Sequence, residues 1–222
     1  MAKQVFIGFT TEGTTDARFL EKIVERTFEE VAYECYCDIE PVLRFINVNK
    51  TGLSFTDYII KASRQGFDEM GMMILCVHSD ADGPTDKTVM KNKIIPAKNA
   101  IDLENDNNLC KIIVPVIPIQ MMESWMLADK ELLKKEIGTS LTDQKLGINK
   151  NPETISDPKF VIEEAIRITR QDIVKRKRKD LQIGDIYLSL GQKVSIDMLQ
   201  KLQSYQCFQE EVRNAYKQLH LL

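Results

Sequence analysis

The sequence predicts an α/β protein: a mostly parallel sheet flanked by helices, followed by a C-terminal helical extension. Three observations predict it. Before residue 138, short apolar runs alternate with amphipathic stretches, the pattern of strand–helix units in a doubly wound sheet. One run, Met72-Met73-Ile74-Leu75-Cys76-Val77, is apolar throughout, as a strand buried on both faces must be. Beyond a polar, turn-rich segment from Gly138 to Pro158, only helical patterns follow.

Val5–Phe9 reads as the first strand. The polar turn Thr10–Thr15 follows, then a helix from about Asp16 to Tyr33 with Phe19, Leu20, Ile23, Val24, Phe28 and Val31 on one face. Thr14 or Thr15 is its expected N-cap. Pro41–Val48 is the second strand. Ser54 and Asp57 look like a capping box opening a helix that Gly66 is expected to end. The run at Met72 is the third, central strand. After Gly83-Pro84, one helix is expected before Pro96 and another starting there. Cys110–Pro118 is the fourth strand, and its prolines place it at an edge or make it bend. A helix from about Gln120 carries Met121, Met122, Trp125 and Leu127, and Asp129 caps a continuation to Gly138. The reading divides the chain into an α/β domain, 1–138, and a helical extension, 139–222. Helices are expected over Lys159–Asp180 and Ser195–Leu219.

A hydrophobic content of 43% supports a sizeable core, and no apolar run reaches membrane-helix length. The first residues lead straight into a strand, which reads as no signal peptide. The five cysteines are scattered, and Cys35-Tyr36-Cys37 is not a C-x-x-C motif. A reduced, cytoplasmic protein without a membrane segment is expected. A net charge of −3 excludes a basic nucleic-acid coat. Any nucleic-acid contact must come from a local patch or through metal.

Asp80 and Asp82 fall at or just past the end of the third strand, where open α/β sheets place their ligands. Along an extended segment, residues i and i+2 point the same way. Two carboxylates facing one point repel unless a cation or shared proton relieves them. A hard divalent ion, Mg2+ or Mn2+, one or two in number, would do so. The plainer alternative is a helix cap and a turn residue before Gly83. Glu12 follows strand one, with Asp16 four residues on, and Glu123 follows strand four. All these strand ends share one sheet edge, so Glu12, Asp16, Asp80, Asp82 and Glu123 are the candidate metal ligands. Against that, Glu12 could be a solvated turn residue, and Asp16 and Glu123 could serve only their helix dipoles. Trp125 reads as a core or interface anchor and His78 as a satisfied buried histidine. The chain has no Walker or G-x-G-x-x-G loop and no G-x-S-x-G elbow.

Glu12-Gly13, Asp16, and Asp80-Ala81-Asp82-Gly83 after a later strand resemble the Toprim signature. Toprim domains occur in topoisomerases, primases, recombination proteins and the overcoming-lysogenization-defect nucleases. The longer strings Glu12–Leu20 and Pro118–Asp129 look like a small Toprim-like family found beside ATPases in bacterial anti-phage loci. The resemblance covers residues 3–138. It implies a Toprim-like, Rossmann-like fold and a metal-dependent nuclease acting in antiviral defence, with an ATPase as partner. Glu12, Asp80 and Asp82 would be the catalytic residues. Glu12 would be general acid/base or ligand, and Asp80 and Asp82 would hold Mg2+. Asp16 and Glu123 are the candidates to complete a two-metal site. The resemblance also implies a basic residue near the metals, which motif position does not select.

Phosphodiester hydrolysis needs an activated water and compensation of transition-state charge, and two metals supply both. Lys175, Arg176, Lys177, Arg178 and Lys179 form the strong positive cluster and are the candidate substrate-binding residues. The other reading of that run is a solvated helix face. Two other functions compete. A haloacid-dehalogenase-type phosphatase also uses D-x-D, but at the end of its first strand and with Thr or Val where Pro84 stands here. A metal-stabilised interaction module would use the helical extension as its binding face. DNA or RNA, endonuclease or exonuclease, and monomer or homo-oligomer are left open.

Overall fold

A computed structural model describes residues 2–13, 15–105, 108–171 and 181–222. Strands β1 (Lys3–Thr10), β2 (Ile39–Phe45), β3 (Ile74–His78) and β4 (Ile112–Val116) form one parallel sheet in the order β2-β1-β3-β4. The register pairs Phe9 with Phe45 and Cys76, and Val77 with Pro115. All five residues of β3 are buried. Pro115 lies on the edge strand β4, where a missing backbone donor costs least.

Side chains alternate across the sheet and so build two apolar layers. Ile74 and Cys76 face the layer that holds Phe19, Ile23 and Phe28 of α1 (Asp16–Ala32). Leu75 and Val77 face the layer that holds Ile59 and Ala62 of α2 (Phe55–Met70). Ser54 caps α2 as expected, accepting from the Asp57 N–H. The helix does not stop at Gly66. It runs on to Met70 and ends at Gly71, in the left-handed conformation with φ 63°. Gly66 has a packing role instead: a Cβ there would lie 2.6 Å from the Met72 sulfur.

Beyond β3 the helical run is unbroken from 87 to 103. It comprises α3 (Lys87–Val89), a π turn (Met90–Ile94) and α4 (Ile95–Leu103). Pro96 does start a regular helix, but the preceding turn widens rather than ending, with the Ile95 N–H reaching back to the Met90 carbonyl. After β4, Gln120 takes φ 63°, so the next helix, α5 (Glu123–Met126), starts later than expected. Asp129 caps α6 (Lys130–Ile137), and left-handed Gly138 closes it.

The remaining helices are α7 (Asp143–Leu146), α8 (Pro158–Gln171), α9 (Ile183–Lys193), α10 (Ile196–Leu199) and α11 (Gln203–Gln218), with a 3-10 turn at Pro152–Thr154. The pattern over Ser195–Leu219 is therefore two helices, and the helix α9 precedes them where the sequence pattern predicts none. The end of the helix expected over Lys159–Asp180 lies outside the described residues. These helices share the α1-side core: Leu190, Tyr205, Phe208 and Tyr216 are buried with Phe9, Cys76 and Val116. Trp125, fully buried, anchors the join. Its indole N–H donates to Ser204 Oγ at 2.8 Å, and its ring meets Tyr205 edge-on. Among the described residues no helix is long and apolar enough to cross a membrane.

Candidate active site at the carboxyl rim of the sheet

Strand β1 delivers Glu12 through a turn fixed from the β2 side. The Tyr58 hydroxyl bonds the Thr11 carbonyl at 3.2 Å and meets the Thr10 hydroxyl, which donates to the Ile46 carbonyl. The Lys50 ammonium donates to the Thr11 carbonyl, and to that of Glu12 at 2.6 Å. Asp16 accepts from the Gly13 N–H at 3.0 Å. That bond folds the turn back on itself, and Thr15 at the helix start makes no side-chain cap.

Strand β3 delivers the other half. Ser79 is buried, and its hydroxyl donates to Glu12 Oε1 at 3.0 Å. Asp80 Oδ1 accepts from the Met122 N–H at 2.8 Å and lies 3.2 Å from His78 Nε2. His78, buried at the strand end, has its Nδ1 3.6 Å from Asp16 Oδ2, too far for a hydrogen bond. That nitrogen has no hydrogen-bond partner. A buried imidazole thus sits between the Asp16 and Asp80 carboxylates.

Because β3 ends at His78, alternation along a strand does not relate Asp80 to Asp82. Asp82 takes φ 50° and its N–H donates to the Gln120 carbonyl, while the Gln120 N–H donates to that of Gly83. Aspartate tolerates this left-handed conformation better than most residues. The exposed Asp82 lines a pocket with Asn92 and Lys93.

Lys93 was not singled out by the sequence. The π turn carries it to the rim, where its Nζ lies 2.5 Å from Glu12 Oε1 and 3.1 Å from Ser79 Oγ. It also lies 5.7 Å from the centre of the Phe55 ring, as Lys50 lies 4.7 Å from that of Tyr58. Both rings belong to the first turn of α2, so Glu12 stands between two cations, each seated on an aromatic face.

Glu123 is placed differently from the other acids. It is only 6% exposed and its Oε1 accepts from the Tyr187 hydroxyl of α9 at 2.8 Å. Burial raises its carboxyl pKa, and the Asp80 charge adds to this, against the Tyr187 bond and Lys159. Burial and then Glu123 push the Tyr187 hydroxyl far up in turn. Glu123 is therefore a support beneath the rim, bound to the helical layer.

Among the described residues no three His, Cys, Asp or Glu side chains are grouped so as to hold a metal ion. The five acids expected to converge are instead divided: Glu12 with Lys93, Asp16 and Asp80 about His78, Glu123 with Tyr187, and Asp82 outermost. Glu12, Asp80 and Asp82 still offer carboxylate oxygens, the donors a small hard cation takes, and the Lys93 ammonium stands against Glu12.

The run Lys175–Lys179 lies outside the described residues. The helix that follows it starts at the rim. Tyr187 reaches Glu123 there, Gly191 crosses Phe19, and Val194 accepts from Arg26 further down α1. Compared with protein-family models, curated proteins and solved structures, the chain matches none.

Proposed function

We propose that this protein is a divalent-metal-dependent nuclease that hydrolyses phosphodiester bonds in nucleic acid. One observation carries the reading: Glu12, Ser79 and Lys93 meet at the carboxyl rim, from the ends of two central strands and a π turn, with Asp80 and Asp82 alongside. Acid, hydroxyl and ammonium there are a set suited to a phosphate ester and a cation.

Glu12, Asp80 and Asp82 would hold Mg2+ or Mn2+. When bound, the ion supplies Lewis-acid polarisation of the phosphate and a water of lowered pKa. The protein's own groups have separate tasks. Ser79 fixes one oxygen of Glu12. The Met122 N–H and His78 fix one oxygen of Asp80 and leave the other for a ligand. Lys93 is the basic residue of the site. It neutralises Glu12 in the free protein and offers its charge to a phosphate oxygen in the complex. The Toprim resemblance adds the setting, an anti-phage effector working with an ATPase.

The test is cleavage of plasmid DNA and of RNA with Mg2+ or Mn2+, by wild type and Glu12→Gln. Wild type is expected to cut at least one substrate and the variant neither. No cleavage of either with either ion would overturn the reading. Phosphate release from small monoesters without diester cleavage would assign a phosphatase instead.

A further inference from the structure

On the β2 side of Glu12 lies a pocket of about 240 Å³ that the proposed chemistry leaves unused. It is smaller than a drug-sized ligand requires. Its polar lining beyond Glu12 consists of Thr11, Asn47, Asn49, Lys50, Thr51 and Tyr58, with Glu12 the one carboxylate. The Glu12 side chain is already held by Lys93 and Ser79. Asn49 uses its carbonyl oxygen to accept from the Thr51 N–H, which leaves its amide protons for a ligand. Lys50 is half-buried and its two bonds go to neutral backbone carbonyls, so they orient the ammonium without cancelling its charge.

The pocket on the Lys93 side also holds one lysine, among Thr85, Thr88 and Asn92, with Asp82 as its carboxylate. Glu12 therefore lies between two lysine-bearing hollows, one on the β2 side and one over the π turn.

We propose that the Lys50 pocket is a phosphate subsite: it binds the backbone phosphate next to the scissile one, with Lys50 as its cation and Asn49 as a neutral donor. The inference rests on the nuclease reading for its substrate class. A polymeric phosphodiester is the ligand that presents a second phosphate beside the reacting one. Lys50 also ties the Glu12 turn, so a test must separate contact with substrate from support of the turn.

The experiment pairs Lys50→Met with oligonucleotides carrying one methylphosphonate, a neutral phosphate replacement, at each position flanking a mapped cleavage site. In wild type one flanking replacement is expected to raise KM about tenfold, as removal of one charge-assisted hydrogen bond does. Lys50→Met should raise KM about tenfold on unmodified substrate and be indifferent to that replacement. Losses that multiply would show that Lys50 and the phosphate do not touch, and would overturn the proposal. So would a fall in kcat alone, which marks a support of the turn. Should Lys50→Met not fold, wild type by itself decides: insensitivity to every flanking methylphosphonate overturns the subsite. If wild type cuts no nucleic acid, the nuclease reading falls separately, and binding of the unmodified oligonucleotide in EDTA still tests the pocket. Equal affinity for wild type and Lys50→Met, or for wild type and Asn49→Ala, would then remove it.

Discussion

The Lys93 ammonium lies 2.5 Å from the Glu12 carboxylate, although 81 residues separate the two in the chain. The pair joins the turn after β1 to the π turn after β3, and Ser79 bonds both partners. Both side chains are about one-third exposed, so the pair is accessible to substrate and adds little to stability.

Lys93→Met is expected to lower kcat by about a hundredfold to a thousandfold, as removal of one transition-state charge partner does. KM should change far less. Steady-state cleavage kinetics of the folded variant check this. An effect confined to KM would make Lys93 a tether for substrate.

Gly191→Ala should destabilise the protein by about 3 kcal/mol or more, the cost of overpacking a rigid contact. The new Cβ would lie 2.2 Å from the Phe19 carbonyl oxygen, and backbone cannot give way as a side chain can. Gly184→Ala, in the first turn of the same helix with nothing within 4 Å, should instead stabilise by about 0.5 kcal/mol. Urea melts of the two variants side by side measure both.

Ser204→Ala should cost about 1–3 kcal/mol, because it leaves the buried Trp125 indole N–H without its acceptor. Indole fluorescence during the urea transition follows the same site. A neutral result would require water to reach a residue that is fully buried.

The buried Glu123 gives a signed pH dependence. Its folded pKa is raised by burial, so the native state binds its proton more tightly than the unfolded chain does. Stability is then full below the unfolded carboxyl pKa and declines as pH rises to the folded value. Glu123→Gln retains an oxygen to accept from Tyr187 and has no proton to lose. In EDTA, the variant is expected to be the more stable form above that window, with a flatter profile through it. A steeper decline in the variant would contradict this.

Neutralising Lys175, Arg176, Lys177, Arg178 and Lys179 together should weaken nucleic-acid binding. It should also flatten the salt dependence, by roughly 0.7–0.9 log units per log unit of salt for each phosphate that the protein no longer neutralises. The start of α9 at the rim motivates the test. Unchanged slopes in a salt titration would assign the run to a solvated face or a protein partner.

Local pattern alone determined the parallel α/β core, the buried β3, the Ser54 and Asp129 caps, and the strand-end placement of Glu12 and Asp80, and it narrowed β4 to an edge or a bent strand. Each follows from periodicity, proline chemistry or capping, which act over a few residues. The helical character of the C-terminal part was legible in the same way. Its place was not: that α11 packs on β4 and α9 on α1 depends on Trp125 meeting Ser204 and on Gly191 meeting Phe19, contacts between segments far apart in sequence. Gly66 misled for a related reason, since its lack of a side chain serves Met72 and not a helix end. At the rim, sequence identified the acids by position but could not say which of them are buried, paired or turned outward. Tyr187 claims Glu123, a left-handed residue turns the chain at Asp82, and a π turn selects Lys93 from among many lysines. Charge pairing and burial are properties of the assembled surface, and only the tertiary structure decides them.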